Sequence, residues 1–206
     1  ERDELARVVP IVGALAGQGV LVSVDTMKPR VMREAIAAGA AMINDVRALA
    51  APGALEALAA SDAAVCLMHM QGDPCSMQVA PSYGDVVAEV SAFLAGRARA
   101  CLDAGIARAR IVVDPGYGFG KTLAHNLSLL RGLPQIAALG FPVLAGLSRK
   151  SMLGALTGRD VGDRVAASIS AALAAIHLGA AIVRVHDVRE TVDAIRVWRA
   201  INQTTR

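Results

Sequence analysis

The sequence predicts an α/β fold of repeated β–α units and, among such folds, a (β/α)8 TIM barrel. Three observations carry this. Six short β-rich runs alternate with longer helical stretches. Most of these runs are apolar throughout rather than alternating, the pattern of strands covered on both faces, and such strands are usually parallel. Polar residues also collect at the C-terminal ends of the runs, and in a barrel those ends all surround one mouth.

The strand candidates are residues 20–25, 41–46, 64–70, 110–114, 142–147 and 181–186. Five end in a polar group: Asp25, Asn44, His69 with Gln71, Asp114, and the pair Arg184 and His186. Ser148, Arg149 and Lys150 follow the remaining run, 142–147. Helical periodicity fills the gaps. Over 3–16, Leu5, Val8, Val9, Val12 and Leu15 form an apolar stripe that Pro10 bends. Pro29 opens a helix and Gly39 closes it, as capping asymmetry predicts. Residues 85–104 are amphipathic and end at Gly105, 163–178 are Ala-rich and end at Gly179, and 188–201 form a last helix carrying Trp198. No linker interrupts the chain, so residues 1–206 read as one domain. A barrel has eight strands and typically ~250 residues. The expectation is therefore that the barrel's strands 1 and 2 and its first helix are absent from this chain.

A doubly wound nucleotide fold is the alternative, but its fingerprint is missing. Residues 116–120, GYGFG, match neither GxGxxG nor, with Lys121, the Walker spacing. The 54% hydrophobic content excludes disorder. No apolar run approaches the ~18 residues of a membrane span, and no secretory signal is visible, although the chain does not begin with Met. A net charge of +3 without a basic stripe, and 3% aromatics, argue against nucleic acid. Small-molecule substrates are expected, with no nucleic-acid or membrane partner. Cys66, Cys75 and Cys101 make no CxxC pair, which suits a reduced, cytoplasmic setting. Cys66, His69 and Cys75 suggest a metal only weakly. Three residues apart in a strand, Cys66 and His69 face opposite ways, and no fourth ligand is evident. No metal site is expected within this chain.

Arg184 and His186, two apart, share a strand face and make an anion clamp. The competing reading pairs Arg184 with Asp187 or Asp163. Asp114 ends IVVD before Pro-Gly, and Asp25 and Asn44 end similar runs. Each is a ligand-binding group or a turn cap. Lys150, in GLSRKSMLG, has three readings: a Schiff-base amine, a solvated lysine, or a hydrogen-bond donor to a bound carbonyl. Ser148 and Ser151 beside it favour the donor.

Seven motifs occur in order: SVDT (23–26), INDV (43–46), LMHMQG (67–72), DPGYGFGK (114–121), HNLSLLR (125–131), GLSRKS (146–151) and RVHDV (184–188). Together they resemble the dihydropteroate synthase family over the whole chain, with Tyr117 where the family usually has Phe. The resemblance implies that Asp25, Asn44, Asp114 and Lys150 hold a pterin ring, with Met68, Gly118 and Phe119 lining its pocket. Ser151 and Lys150 would border p-aminobenzoate, and Arg184 and His186 would bind the pyrophosphate leaving group. Lys150, Arg184 and His186 would thus be catalytic. Mg2+ is implied on the pyrophosphate, held by an Asn that lies outside this sequence, and a homodimer through barrel helices. The reaction would be substitution at the methylene carbon of 6-hydroxymethyl-7,8-dihydropterin pyrophosphate. Three rivals stand beside it: a pterin-binding methyltetrahydrofolate methyltransferase domain, an inactive truncated homologue, and a Schiff-base aldolase acting through Lys150.

Overall fold

The computed structural model describes residues 1–73, 77 and 79–202. The chain packs as two compact units, Glu1–Met70 with Val90–Asp114, and Gln71–Glu89 with Pro115–Arg206. Chain order runs α1 (Arg2–Ala16), β1 (Ser23–Asp25), α2 (Pro29–Ala37), β2 (Met42–Asp45), α3 (Ala54–Ala59), β3 (Ala64–Met68), α4 (Val86–Asp103) and β4 (Ile111–Asp114). There follow α5 (Leu123–Arg131), α6 (Leu133–Ala137), β5 (Leu144–Ala145), α7 (Ser151–Thr157), α8 (Val165–His177), β6 (Ile182–Val183) and α9 (Val188–Asn202).

In the first unit β1 to β4 form a parallel sheet in sequence order, with Ser23 opposite Met42, Met42 opposite Ala64 and Val65 opposite Ile111. Parallel neighbours need a crossover, and helices follow β1, β2 and β3 to supply it. Ile43, Val65, Leu67, Met68, Ile111 and Val113 are fully buried, as the continuous apolar runs require. Pro29 starts α2 at its first turn, where a missing N–H costs nothing. Gly39 follows α2 at φ +104°, and a Cβ there would lie 2.6 Å from the Ala16 methyl, so the expected glycine stop is also a close approach to α1. Of the predicted α1 stripe only Val12 is buried. Leu5, Val8 and Val9 are half-buried and Leu15 is exposed.

In the second unit β5 and β6 pair in parallel, Leu144 with Ile182 and Ala145 with Val183. All six predicted strands are present, each shorter than predicted. Pro142 has no N–H to give a ladder. Past β6, Arg184 N–H still donates to the Ala145 carbonyl at 3.1 Å, but His186 N–H turns to the Ser148 hydroxyl at 3.2 Å. Arg184 and His186 therefore lie beyond the strand rather than in it. Among the described residues no helix is long and apolar enough to cross a membrane.

Candidate functional site

Register and parity place the polar residues of the first unit. Asp25 is opposite Asn44, Asn44 opposite Cys66, and Met68 opposite Asp114. Paired residues in a parallel sheet point the same way, and alternate residues share a face. One face therefore carries Asp25, Asn44, Cys66, Met68 and Asp114. Asn44, 3% exposed, donates its Nδ2 to Asp25 Oδ2 at 2.9 Å, while Asp25 itself is exposed. Asp114 is 1% exposed, and its carbonyl accepts the His69 N–H at 3.1 Å. A carboxylate and an amide oriented by a second carboxylate suit a ligand edge that presents adjacent N–H donors.

Asp45 points the other way and does different work. Its two oxygens accept Arg47 N–H at 2.8 Å and Leu49 N–H at 2.9 Å. Burial pushes its carboxyl above the usual range despite those bonds. The turn it ties holds Ala48 and Leu49 at φ 50° and 58°, a strained conformation for side chains with a Cβ. Arg97 adds a bond from Nε to the Ala48 carbonyl at 2.7 Å.

The loops after β5 and β6 enclose a cavity of about 360 Å3 lined by Phe119, Gly146, Ser148, Lys150, Arg184 and His186. The Arg184 guanidinium lies against Gly146, where a Cβ would come within 3.0 Å of its terminal nitrogen. Lys150 donates to the Tyr117 carbonyl, and its ammonium sits 4.8 Å from the centre of the Phe119 ring. Asp187 pairs with Arg149, through Nε at 3.1 Å and a second guanidinium nitrogen, and this holds its carboxyl below the usual range. Arg149 itself has φ 58° and is fixed by its N–H to Ser168 Oγ at 3.0 Å and its carbonyl to Arg164 at 3.0 Å. The suggested Asp187 partner of Arg184 is thus taken by Arg149.

Beside this cavity the glycine-rich segment 116–121 is wound around two buried side chains. Lys121, 4% exposed, donates to the carbonyls of Gly116 and Phe119, each at 3.0 Å. Asn126 accepts Gly118 N–H at 2.7 Å and donates to the Lys121 and Thr122 carbonyls. Tyr83 donates its hydroxyl to the Gly120 carbonyl at 2.8 Å. Gly120 has φ +62°, and a Cβ there would lie 2.6 Å from the Gln71 carbonyl oxygen. Gly120→Ala combines that clash with a left-handed backbone, so it should destabilise the intact protein by about 2–4 kcal/mol. Chemical denaturation measures this, and a loss below about 0.5 kcal/mol, the range of an ordinary surface change, would mean the segment is not held as described.

Of the expected site residues, Asp25, Asn44, Met68 and Asp114 share one sheet face in the first unit. Phe119, Lys150, Arg184 and His186 share one cavity in the second, with Gly118 stacked on Lys150. Ser151 is exposed and lines a separate pocket of about 130 Å3 with Lys121 and Asn126. Lys121 and Asn126 draw no role from the sequence, although both lie in the quoted motifs. Of the three groups weighed as a metal site, His69 meets Phe93 edge-on at 5.0 Å and Cys66 is buried. Cys75 lies outside the described residues. Burial pushes the Cys101 thiol up to about 11.

The model of the family described as pterin binding enzyme matches residues 1–186. The dihydropteroate synthase of Neisseria meningitidis serogroup C is 52% identical over 203 residues, covering 97% of this chain and 72% of that protein. Two structures of the Xanthomonas albilineans dihydropteroate synthase are 52% identical to it. The one with 4-aminobenzoic acid has a TM-score of 0.94, covering 99% of this chain and 73% of that one. The one in complex with 7,8-dihydropteroate has a TM-score of 0.92, covering 98% and 74%. These likenesses bear out the α/β barrel class expected from the sequence.

Proposed function

The chain belongs to the dihydropteroate synthase family of pterin-binding enzymes, and we propose on that premise that it condenses 6-hydroxymethyl-7,8-dihydropterin pyrophosphate with p-aminobenzoate, giving 7,8-dihydropteroate and pyrophosphate. The observation that carries this reading furthest is the cavity with Arg184, His186 and Lys150. A pterin-binding methyltransferase has no diphosphate to hold, and this cavity gathers three nitrogen donors suited to one.

Each residue's part follows from its chemistry. Asp114 accepts the two N–H groups of the pterin's amino-pyrimidine edge. Asn44, oriented by Asp25, donates and accepts beside it. Arg184 presents a planar fork to the diphosphate oxygens and His186 donates a further hydrogen bond. As the methylene carbon–oxygen bond breaks, charge develops on the leaving diphosphate, and donors fixed in advance stabilise it. The arylamine nucleophile is already neutral, so positioning supplies most of what remains. Lys150 acts as a donor, as its bond to the Tyr117 carbonyl supports. Among the described residues no three His, Cys, Asp or Glu side chains group to hold a metal. The Mg2+ we propose arrives on the diphosphate itself, and no step above depends on it. We also propose that two copies pair through the face of α9, where Val197 and Ile201 are exposed beside an apolar groove at Trp198.

The test is pyrophosphate release by the intact protein, which should require both p-aminobenzoate and the diphosphate substrate. Methyl transfer from methyltetrahydrofolate, with no pyrophosphate release, would overturn the reading in favour of the methyltransferase class.

A further inference from the structure

Ser148 and His186 meet at two atoms. The His186 backbone N–H donates to Ser148 Oγ at 3.2 Å, and Ser148 Oγ lies 2.9 Å from His186 Nδ1. A hydroxyl has one proton and two lone pairs. The backbone N–H occupies one lone pair. Ser148 is only 6% exposed, and among the described residues its hydrogen bonds both run to His186. A buried hydroxyl proton with nowhere to go is costly, so it goes to the one acceptor in reach, Nδ1. A neutral imidazole whose Nδ1 accepts must carry its proton on Nε2. That end of the ring is left as a donor, and His186 is exposed in the cavity that also holds Arg184.

We propose that Ser148 is a positioning residue that fixes His186 in the Nε2–H tautomer, so that the ring meets a diphosphate oxygen with a donor. Had Nδ1 carried the proton, Nε2 would present a lone pair to an anion. The proposal rests on the reading of this cavity as the diphosphate site, but the tautomer itself does not. The contact also joins the two loops, since Ser148 follows β5 and His186 follows β6, with the Arg149–Asp187 pair directly alongside.

The tautomer is read by long-range 1H–15N correlation spectroscopy of the intact, ligand-free protein at mildly alkaline pH. The chain has four histidines, and the His186→Gln variant assigns the ring signals of His186 by their loss. The expected wild-type spectrum shows a protonated Nε2 and an acceptor Nδ1. A protonated Nδ1, or an even mixture, overturns the proposal on the wild-type protein alone. Ser148→Ala should give a mixture of tautomers and bind inorganic pyrophosphate about tenfold more weakly, the scale of one oriented hydrogen bond. Ser148→Thr, which keeps the hydroxyl, should restore both. An unchanged Nε2–H tautomer in Ser148→Ala removes Ser148 from the role. The Thr variant carries the comparison if the Ala variant does not fold. Unchanged pyrophosphate binding in Arg184→Ala would sink the diphosphate reading instead, whatever the tautomer proves to be.

Discussion

Arg184→Ala is expected to weaken binding of the dihydropterin diphosphate by about 100-fold in the intact protein, while the bare hydroxymethyl-dihydropterin is held within about twofold of wild type. A hydrogen bond to a charged group is worth about 1.5–3 kcal/mol, and about 1.4 kcal/mol is a factor of ten. A guanidinium can place two such bonds on one diphosphate, less the cost of stripping water from an exposed cation. The alternative is that Arg184 only packs against Gly146, where its guanidinium lies. Packing would serve both ligands equally, so equal losses for the two would place Arg184 in the fold and not at the leaving group. Arg184→Lys sharpens the distinction. A lysine keeps the charge and loses the fork, so the diphosphate should fall between the wild type and the Ala variant. The kinetic signature should be a lower kcat as well as a higher KM, since the leaving group gains charge only as its bond breaks.

How much of this was legible in the sequence depended on the kind of interaction involved. The strands were readable because a strand buried on both faces must be apolar throughout, and AVCLM and IVVD admit little else. Their ends were less so. The C-terminal limit of β6 depends on a serine 38 residues away capturing His186 N–H, and no local pattern encodes that. Among the short helices, α2 is bounded by its Pro and Gly, whereas α3, α5, α6 and α7, of five to nine residues, carry too little periodicity to mark their limits. At the site, parity was informative and could have been pressed further. In INDV, Asn44 and Asp45 must face opposite ways, so only one of them could join Asp25. What remained hidden was burial against expectation. Lys121 drew no reading beyond the missing Walker spacing, yet it is 4% exposed because three glycines, Gly116, Gly118 and Gly120, let the backbone fold its carbonyls back onto the ammonium.

Asp114→Asn should weaken pterin binding by about 1.5–3 kcal/mol, roughly 10- to 100-fold, and disturb p-aminobenzoate binding far less. The side chain ends β4 at 1% exposure, on the same sheet face as Asp25 and Asn44. A carboxylate can accept two adjacent N–H donors at once. An amide of the same shape offers one acceptor and one donor. One contact therefore survives while the other sets two donors against each other in a site too buried for water to relieve them. The volume is unchanged and Asp114 makes its bond to His69 N–H through the backbone carbonyl, so the strand pairing should persist. Calorimetric titration of the intact variant with a dihydropterin, alongside its melting temperature, separates the two effects. A protein that melts as the wild type does but binds the pterin tens of times more weakly places Asp114 at the ring edge. An unchanged pterin affinity would remove it from the site, and the polar sheet face would then have to owe its Asp, Asn and Asp to the fold alone.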